Sequence, residues 1–127
     1  MSAGQQLEHY RIEKVGAGTW AALALPGTGA SSKSGSVDVG GETLVFDTSL
    51  TPQAAKDLRT AARLLTGRDP STVVNSHGHP APTLGNRVFG GCSIWSTSRT
   101  RDLLEERGPA MIRAIGDPTW ALRTIDL

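Results

Sequence analysis

The chain has three histidines, and two of them, His77 and His79, lie one residue apart after a short β-branched segment. Residues 72–74 predict a buried strand, and the Gly, Pro and polar residues that follow predict a loop. Alternate side chains of an extended backbone point the same way, so both imidazoles are expected on one side of the chain. Neutral imidazole is a common metal ligand. The spacing therefore indicates a candidate metal site at the exit of this strand.

The same stretch is similar to the signature of the metallo-β-lactamase superfamily, which is His-x-His-x-Asp-His after a strand, followed by a Gly-Asn pair. His77 and His79 match the first two ligands, and Gly85-Asn86 matches the trailing pair. Ala81 stands where the family has its ligand Asp, and Pro82 stands where it has the next His. Neither side chain can bind a metal. The resemblance therefore implies a metallohydrolase motif of which half is missing.

The resemblance extends over about residues 8–112, because several further motifs occur in the family's order. They are the hairpin at 37–41, the phrase Phe46-Asp47-Thr48, the helix after Thr51-Pro52, and residues 85–89. The implied fold is α+β and layered, the N-terminal half of an αββα sandwich with a mixed sheet and helices on one face. We expect a single, incomplete domain over residues 1–127, in which residues 116–127 have no assigned place.

Asp47 follows the predicted strand 43–46. The resemblance implies that it supports the metal site from outside the ligand set, where a carboxylate accepts a hydrogen bond from a ligand imidazole and fixes its tautomer. An Asp at a strand end also commonly caps a turn. The residues alone leave both interpretations open.

A catalytic zinc ion needs three protein ligands and an open position for water. His9 is the only other histidine, and its distance in sequence from the pair predicts an exposed or capping role. The family's further ligands belong to a second half that has no counterpart in these residues. Zinc and no metal at all therefore both remain open. Two copies that meet about a twofold axis would bring together four imidazoles, enough for a closed structural zinc site.

Composition restricts the class of protein. A chain of 127 residues suffices for one domain with a modest core. The net charge of +1 does not indicate a nucleic-acid partner, and no apolar segment is long enough to span a membrane. Residues 1–6 do not resemble a signal peptide, so the cytoplasm is the predicted location. The single cysteine, Cys92, excludes an internal disulfide and is predicted to be a small core residue.

The remaining pattern predicts the elements around the candidate site. Alternating apolar residues predict a hairpin at 7–25 and a second hairpin around Gly40-Gly41. The Gly- and Ser-rich stretch 27–36 is interpreted as a flexible loop.

Two helices are predicted. The first begins at Thr51-Pro52 and ends at Gly67, with Lys56, Arg59 and Arg63 on a solvated face. The second covers 97–107 and is expected to stop at Gly108, with another short helical piece after Pro109.

Three hypotheses of function follow. In the first, the chain is not catalytic alone and acts as a binding or assembly module, whose uncovered sheet face associates with a second copy or with a separate complementary chain. In the second, it is a zinc-dependent hydrolase of ester, thioester or lactam bonds, by resemblance, with ligands completed by another chain. In the third, it is a truncated gene product without a function.

Overall fold

The computed structural model describes residues 7–28, 30, 33–49, 51–76 and 85–115. The described part of the chain contains six strands, two α-helices and one 3-10 helix. In chain order they are β1 (Tyr10–Gly16), β2 (Thr19–Ala24), β3 (Lys33–Asp38), β4 (Thr43–Phe46), α1 (Pro52–Thr66), β5 (Thr72–Val74), the 3-10 helix (Asn86–Phe89), β6 (Ser93–Trp95) and α2 (Ser98–Ile115). The predicted α+β class with a mixed sheet is confirmed.

The six strands form one sheet in the order β1-β2-β3-β4-β5-β6. Each strand from β1 to β4 pairs antiparallel with the next, whereas β4 pairs parallel with β5 and β5 pairs parallel with β6. Helix α1 is the crossover from β4 to β5, as parallel pairing requires. The carboxyl ends of three parallel strands consequently lie along one edge of the sheet.

Helix α1 has the ends that the sequence predicts. Thr51 is the N-cap, and its hydroxyl accepts a hydrogen bond from the backbone N–H of Ala54 at 3.2 Å. Pro52 occupies the first turn. Gly67 ends the helix in the left-handed conformation (φ 78°), and its N–H donates to the carbonyl of Arg63.

The core lies between α1 and one face of the sheet. The helix presents four buried alanines and a buried leucine to the sheet, and their small volume allows a close approach. Val45 and Val73, on the adjacent strands β4 and β5, are fully buried in this layer, and Tyr10 and Ile12 extend it to β1. Because side chains alternate along a strand, the residues next to Val45 and Val73 point to the opposite face.

Two element boundaries differ from the prediction. Residues 33–36 were expected in a loop, but they form the first part of β3, where Ser34 pairs with Ala22 and Ser36 with Trp20. Serine and glycine have low strand propensity, and pairing to β2 overrides it. The second helix does not stop at Gly108; α2 continues to Ile115. Gly108 and Pro109 disfavour a helix interior locally, so the continuous helix could not be predicted from propensity.

The expectation for His9 was wrong. His9 is only 7% exposed. Its Nδ1 lies 2.5 Å from Oδ2 of Asp57 on α1, and its backbone N–H donates to the same oxygen. Asp57 therefore attaches the segment before β1 to the helix.

The solvated-face prediction was wrong for Arg59. Its guanidinium pairs with Asp69, with Nη2 2.6 Å from Oδ2, and lowers the pKa of that carboxyl. Its Nη1 donates to the carbonyl of Val88 at 2.8 Å. Arg59 thus connects α1 to the 3-10 helix.

Candidate functional site

The exits of β4, β5 and β6 meet at one edge of the sheet. The backbone N–H of Asp47, just after β4, donates to the carbonyl of Val74 at 2.8 Å. The backbone N–H of Asn75, just after β5, donates to the carbonyl of Trp95 at 2.9 Å. Ligand sites of open parallel sheets occur outside the carboxyl ends of the strands. Ser76, the residue before His77, lies at this edge.

Asp47 is buried, and it holds the residue that precedes His77. Its Oδ1 accepts a hydrogen bond from the backbone N–H of Ser76 at 2.8 Å, and its Oδ2 accepts one from the Ser76 hydroxyl at 2.7 Å. The backbone of Asp47 has a positive φ of 62°, a region that few non-glycine residues adopt. Asp47 therefore orients the start of the histidine-bearing segment.

His77, His79, Ala81 and Pro82 lie outside the described residues, so the predicted metal ligands stay a prediction. That Asp47 supports a ligand imidazole also stays a prediction, because both histidines of the pair lie outside the described residues. Within the part of the chain that the structure describes, no three His, Cys, Asp or Glu side chains are grouped to hold a metal ion. A zinc site needs three protein ligands. The described side chains by themselves do not fit it.

A buried polar cluster joins the same strand exits. Asn75 and Asn86 exchange two hydrogen bonds through their side-chain amides, at 3.0 and 2.7 Å. The hydroxyl of Thr48 donates to Oδ1 of Asn86 at 2.7 Å. All three side chains are buried. In the sequence, Asn86 stands out only as part of a motif, and no local pattern indicates its partners.

Gly85 precedes Asn86 and packs directly against the exit of β4. A Cβ at this position would lie 1.9 Å from the carbonyl oxygen of Thr48 and 2.8 Å from the Cβ of Ala55. The N–H of Gly85 also donates to the carbonyl of Ser49 at 2.9 Å. The Gly of the Gly-Asn pair is therefore required by the close approach of two backbone segments.

The sheet face opposite α1 exposes several large apolar side chains. One row of paired residues crosses it from β1 to β6: Glu13, Ala21, Gly35, Phe46, Val74 and Trp95. Phe46 is 42% exposed and Trp95 is 65% exposed. Ala21 and Gly35 are small, so a shallow groove lies beside Phe46, and Val15 and Val37 also line it. We call this surface the open face.

Cys92 packs at the margin of the core, as predicted. Its thiol donates to the carbonyl of Pro70 at 3.1 Å. Burial raises the pKa of the thiol, and the nearby Arg59 offsets this in part. A raised pKa disfavours the reactive thiolate, in keeping with a structural role.

The helices in the described ranges include none that is both long and apolar enough to cross a membrane.

Comparisons with known proteins yield matches at the level of structure. No family model matches the sequence, and no curated protein matches it. A metallo-β-lactamase from Erythrobacter litoralis superposes with a TM-score of 0.71 at 19% identity, over 82% of this chain and 48% of that one. The metallo-β-lactamase DIM-1 matches with a TM-score of 0.67 at 25% identity, over 78% and 47%. FIM-1 from Pseudomonas aeruginosa, in its mono-zinc form, matches with a TM-score of 0.68 at 13% identity, over 79% and 47%.

The present chain spans about half the length of these solved structures. Its antiparallel hairpins, α1 crossover and parallel strands occur in the order that the resemblance implied. The chain thus has the metallo-β-lactamase fold, over a stretch that corresponds to the N-terminal half of that fold.

Proposed function

We propose that this chain is a metallo-β-lactamase-fold module that is not catalytic alone and that pairs with a second copy through its open face. The observation that carries the proposal is the open face itself. A sheet that packs a helix on one side and exposes Phe46 and Trp95 on the other leaves apolar surface in water. Parallel strands such as β4 to β6 are usually covered on both faces of the sheet.

The shape of the open face favours a second copy as its occupant. Phe46 and Trp95 protrude, whereas the neighbouring strands carry the small residues Ala21 and Gly35. In a twofold arrangement each protruding ring would face the groove of the other copy, which makes the surface self-complementary. Two sheets packed face to face, with helices outside, would form a four-layer sandwich. Two copies would also supply about as much chain as one of the matched structures.

The metal motif supports the proposal that the chain is not catalytic alone. Ala81 and Pro82 replace the two ligands that would follow His77 and His79 in the resembling family. Two imidazoles do not make a catalytic zinc site. The buried Asp47 still orients the entry to this segment, which fits a fold that has kept its framework and lost its ligands.

Self-association is tested by replacing Phe46 with lysine, beside Leu64→Lys as the matched control. Both side chains are apolar and about half exposed, but Leu64 lies on α1 and Phe46 on the open face. A sheet of six strands is about 24 Å wide. We expect a weak interface, with a dissociation constant on the order of micromolar.

Sedimentation velocity between about 1 and 100 μM covers that range. The wild-type chain and Leu64→Lys are expected to shift from monomer to dimer as concentration rises, and Phe46→Lys is expected to remain monomeric. A wild-type chain that stays monomeric across the range would contradict self-association and would leave the open face to a separate complementary chain.

The second candidate is a zinc-dependent hydrolase of ester, thioester or lactam bonds, with ligands completed by another chain. The observation that favours it is the position of Asp47, a buried carboxylate bound to the residue before His77. Zinc-dependent turnover of a generic ester, lost in His77→Ala, would select this candidate over the first.

A further inference from the structure

The buried cluster of Thr48, Asn75 and Asn86 joins three segments that are distant in sequence. Thr48 follows β4, Asn75 follows β5, and Asn86 begins the 3-10 helix. Oδ1 of Asn86 accepts hydrogen bonds from both of the other side chains, and its Nδ2 donates to Oδ1 of Asn75. One amide group thus connects both strand exits.

The chemistry of the amide makes this connection specific. A buried amide presents donors and acceptors in fixed directions, and loss of a partner leaves a polar group unpaired in a low-dielectric interior. Each bond is therefore stronger than its counterpart at the surface. An apolar side chain of similar size could fill the space of Asn86, but it could not hold the two exits in register.

The neighbours of the cluster are the residues of the candidate site. Asp47 is next to Thr48, and Ser76 is next to Asn75. Any shift of one exit relative to the other would separate the Asp47 carboxylate from the N–H and hydroxyl of Ser76, which it binds at 2.8 and 2.7 Å.

We propose that Asn86 is a positioning residue, which acts through Thr48 and Asn75 to hold the Asp47 carboxylate against Ser76 at the entry to the histidine-bearing segment. The inference rests on the proposed place of the site at the strand exits. It requires no bound metal.

Amide hydrogen exchange at Ser76, measured by NMR on the metal-free full chain, tests the proposal. Thr48→Val removes the hydroxyl that binds Asn86 and keeps the side-chain volume, whereas Thr48→Ser keeps the hydroxyl. Thr43→Ala is the matched control, because Thr43 is also buried and hydrogen-bonded but lies at the opposite end of β4. The amides of Val45 and Val73, in the sheet, report any global loss of stability.

In Thr48→Val we expect the protection of the Ser76 amide to fall on the order of tenfold more than that of Val45 and Val73, as the loss of one buried hydrogen bond predicts. Thr48→Ser should retain most of the wild-type protection of the Ser76 amide. Thr43→Ala should lower the protection of Ser76 no more than that of Val45 and Val73. Asn86→Ala, provided that it folds, should lower the protection of the Ser76 amide more than Thr48→Val does. Equal losses at Ser76 and in the sheet, or none at Ser76, would overturn the proposal. Zinc content and oligomeric state are independent measurements, so failure of the proposed function would not be confused with failure of this one.

Discussion

Gly85→Ala is expected to destabilise the fold severely, and it is the largest single effect that we predict. The new Cβ would lie 1.9 Å from the carbonyl oxygen of Thr48, and no rotamer change can relieve a contact with backbone. Overpacking that side chains can absorb costs about 1–3 kcal/mol. Because the backbone itself must move here, we expect a loss above about 3 kcal/mol in the free energy of unfolding.

Urea denaturation monitored by circular dichroism measures this loss, with Gly90→Ala as the control. Gly90 lies at the other end of the 3-10 helix, has a negative φ, and would place its Cβ in open space. It should therefore change stability little. Equal stabilities for the two variants would show that residue 85 does not make the close approach described.

Asp47→Ala is expected to have the second largest effect, because it combines two losses. It leaves the N–H and hydroxyl of Ser76 without their carboxylate partner, which costs about 1–3 kcal/mol. It also keeps a Cβ at a backbone position with φ 62°, where alanine lacks the local hydrogen bonding that helps Asp and Asn to adopt this conformation. Asp47→Asn should cost much less, since Asn tolerates that conformation and retains one acceptor.

A comparison with Asp47→Gly separates the loss of the hydrogen bonds to Ser76 from the cost of the positive φ. Glycine removes the same hydrogen bonds but adopts a positive φ without strain, although it gains freedom in the unfolded chain. Thermal unfolding should rank the variants as wild type, then Asn, then Gly, then Ala. An alanine variant as stable as wild type would mean that the carboxylate does not secure Ser76.

The fold could be predicted from the sequence wherever local chemistry determines it. Thr51, Pro52 and Gly67 place the ends of α1, because capping depends only on neighbouring residues. The hairpin at Gly40 and Gly41 is equally local, since both glycines have the positive φ that the turn needs.

The parts that could not be predicted depend on contacts between distant residues. His9 binds Asp57, and Asn86 binds Thr48, across 48 and 38 positions. Hydrophobic periodicity and turn signals do not predict pairs of residues that are so far apart in sequence. The same reason applies to Trp95, because only its register with Val74 shows that it shares the open face with Phe46.

The candidate site, too, was predicted from the sequence only in part. The motif indicated His77, His79 and Asp47, and the structure describes only the last of them, oriented toward Ser76. The resemblance to half of a known fold is confirmed at the level of structure. Whether the chain binds zinc depends on the number of ligands, and a direct measurement of metal content decides it.

That measurement is the zinc content per chain of protein purified without a metal-binding tag, beside His77→Ala as the control. Two imidazoles without the Asp and His that Ala81 and Pro82 replace bind zinc weakly. We therefore predict zinc far below one per chain in both proteins, with the oligomeric state of the wild type unchanged by a chelator. About one zinc per chain, lost in His77→Ala, would contradict the account and establish a metal site whose remaining ligands come from elsewhere.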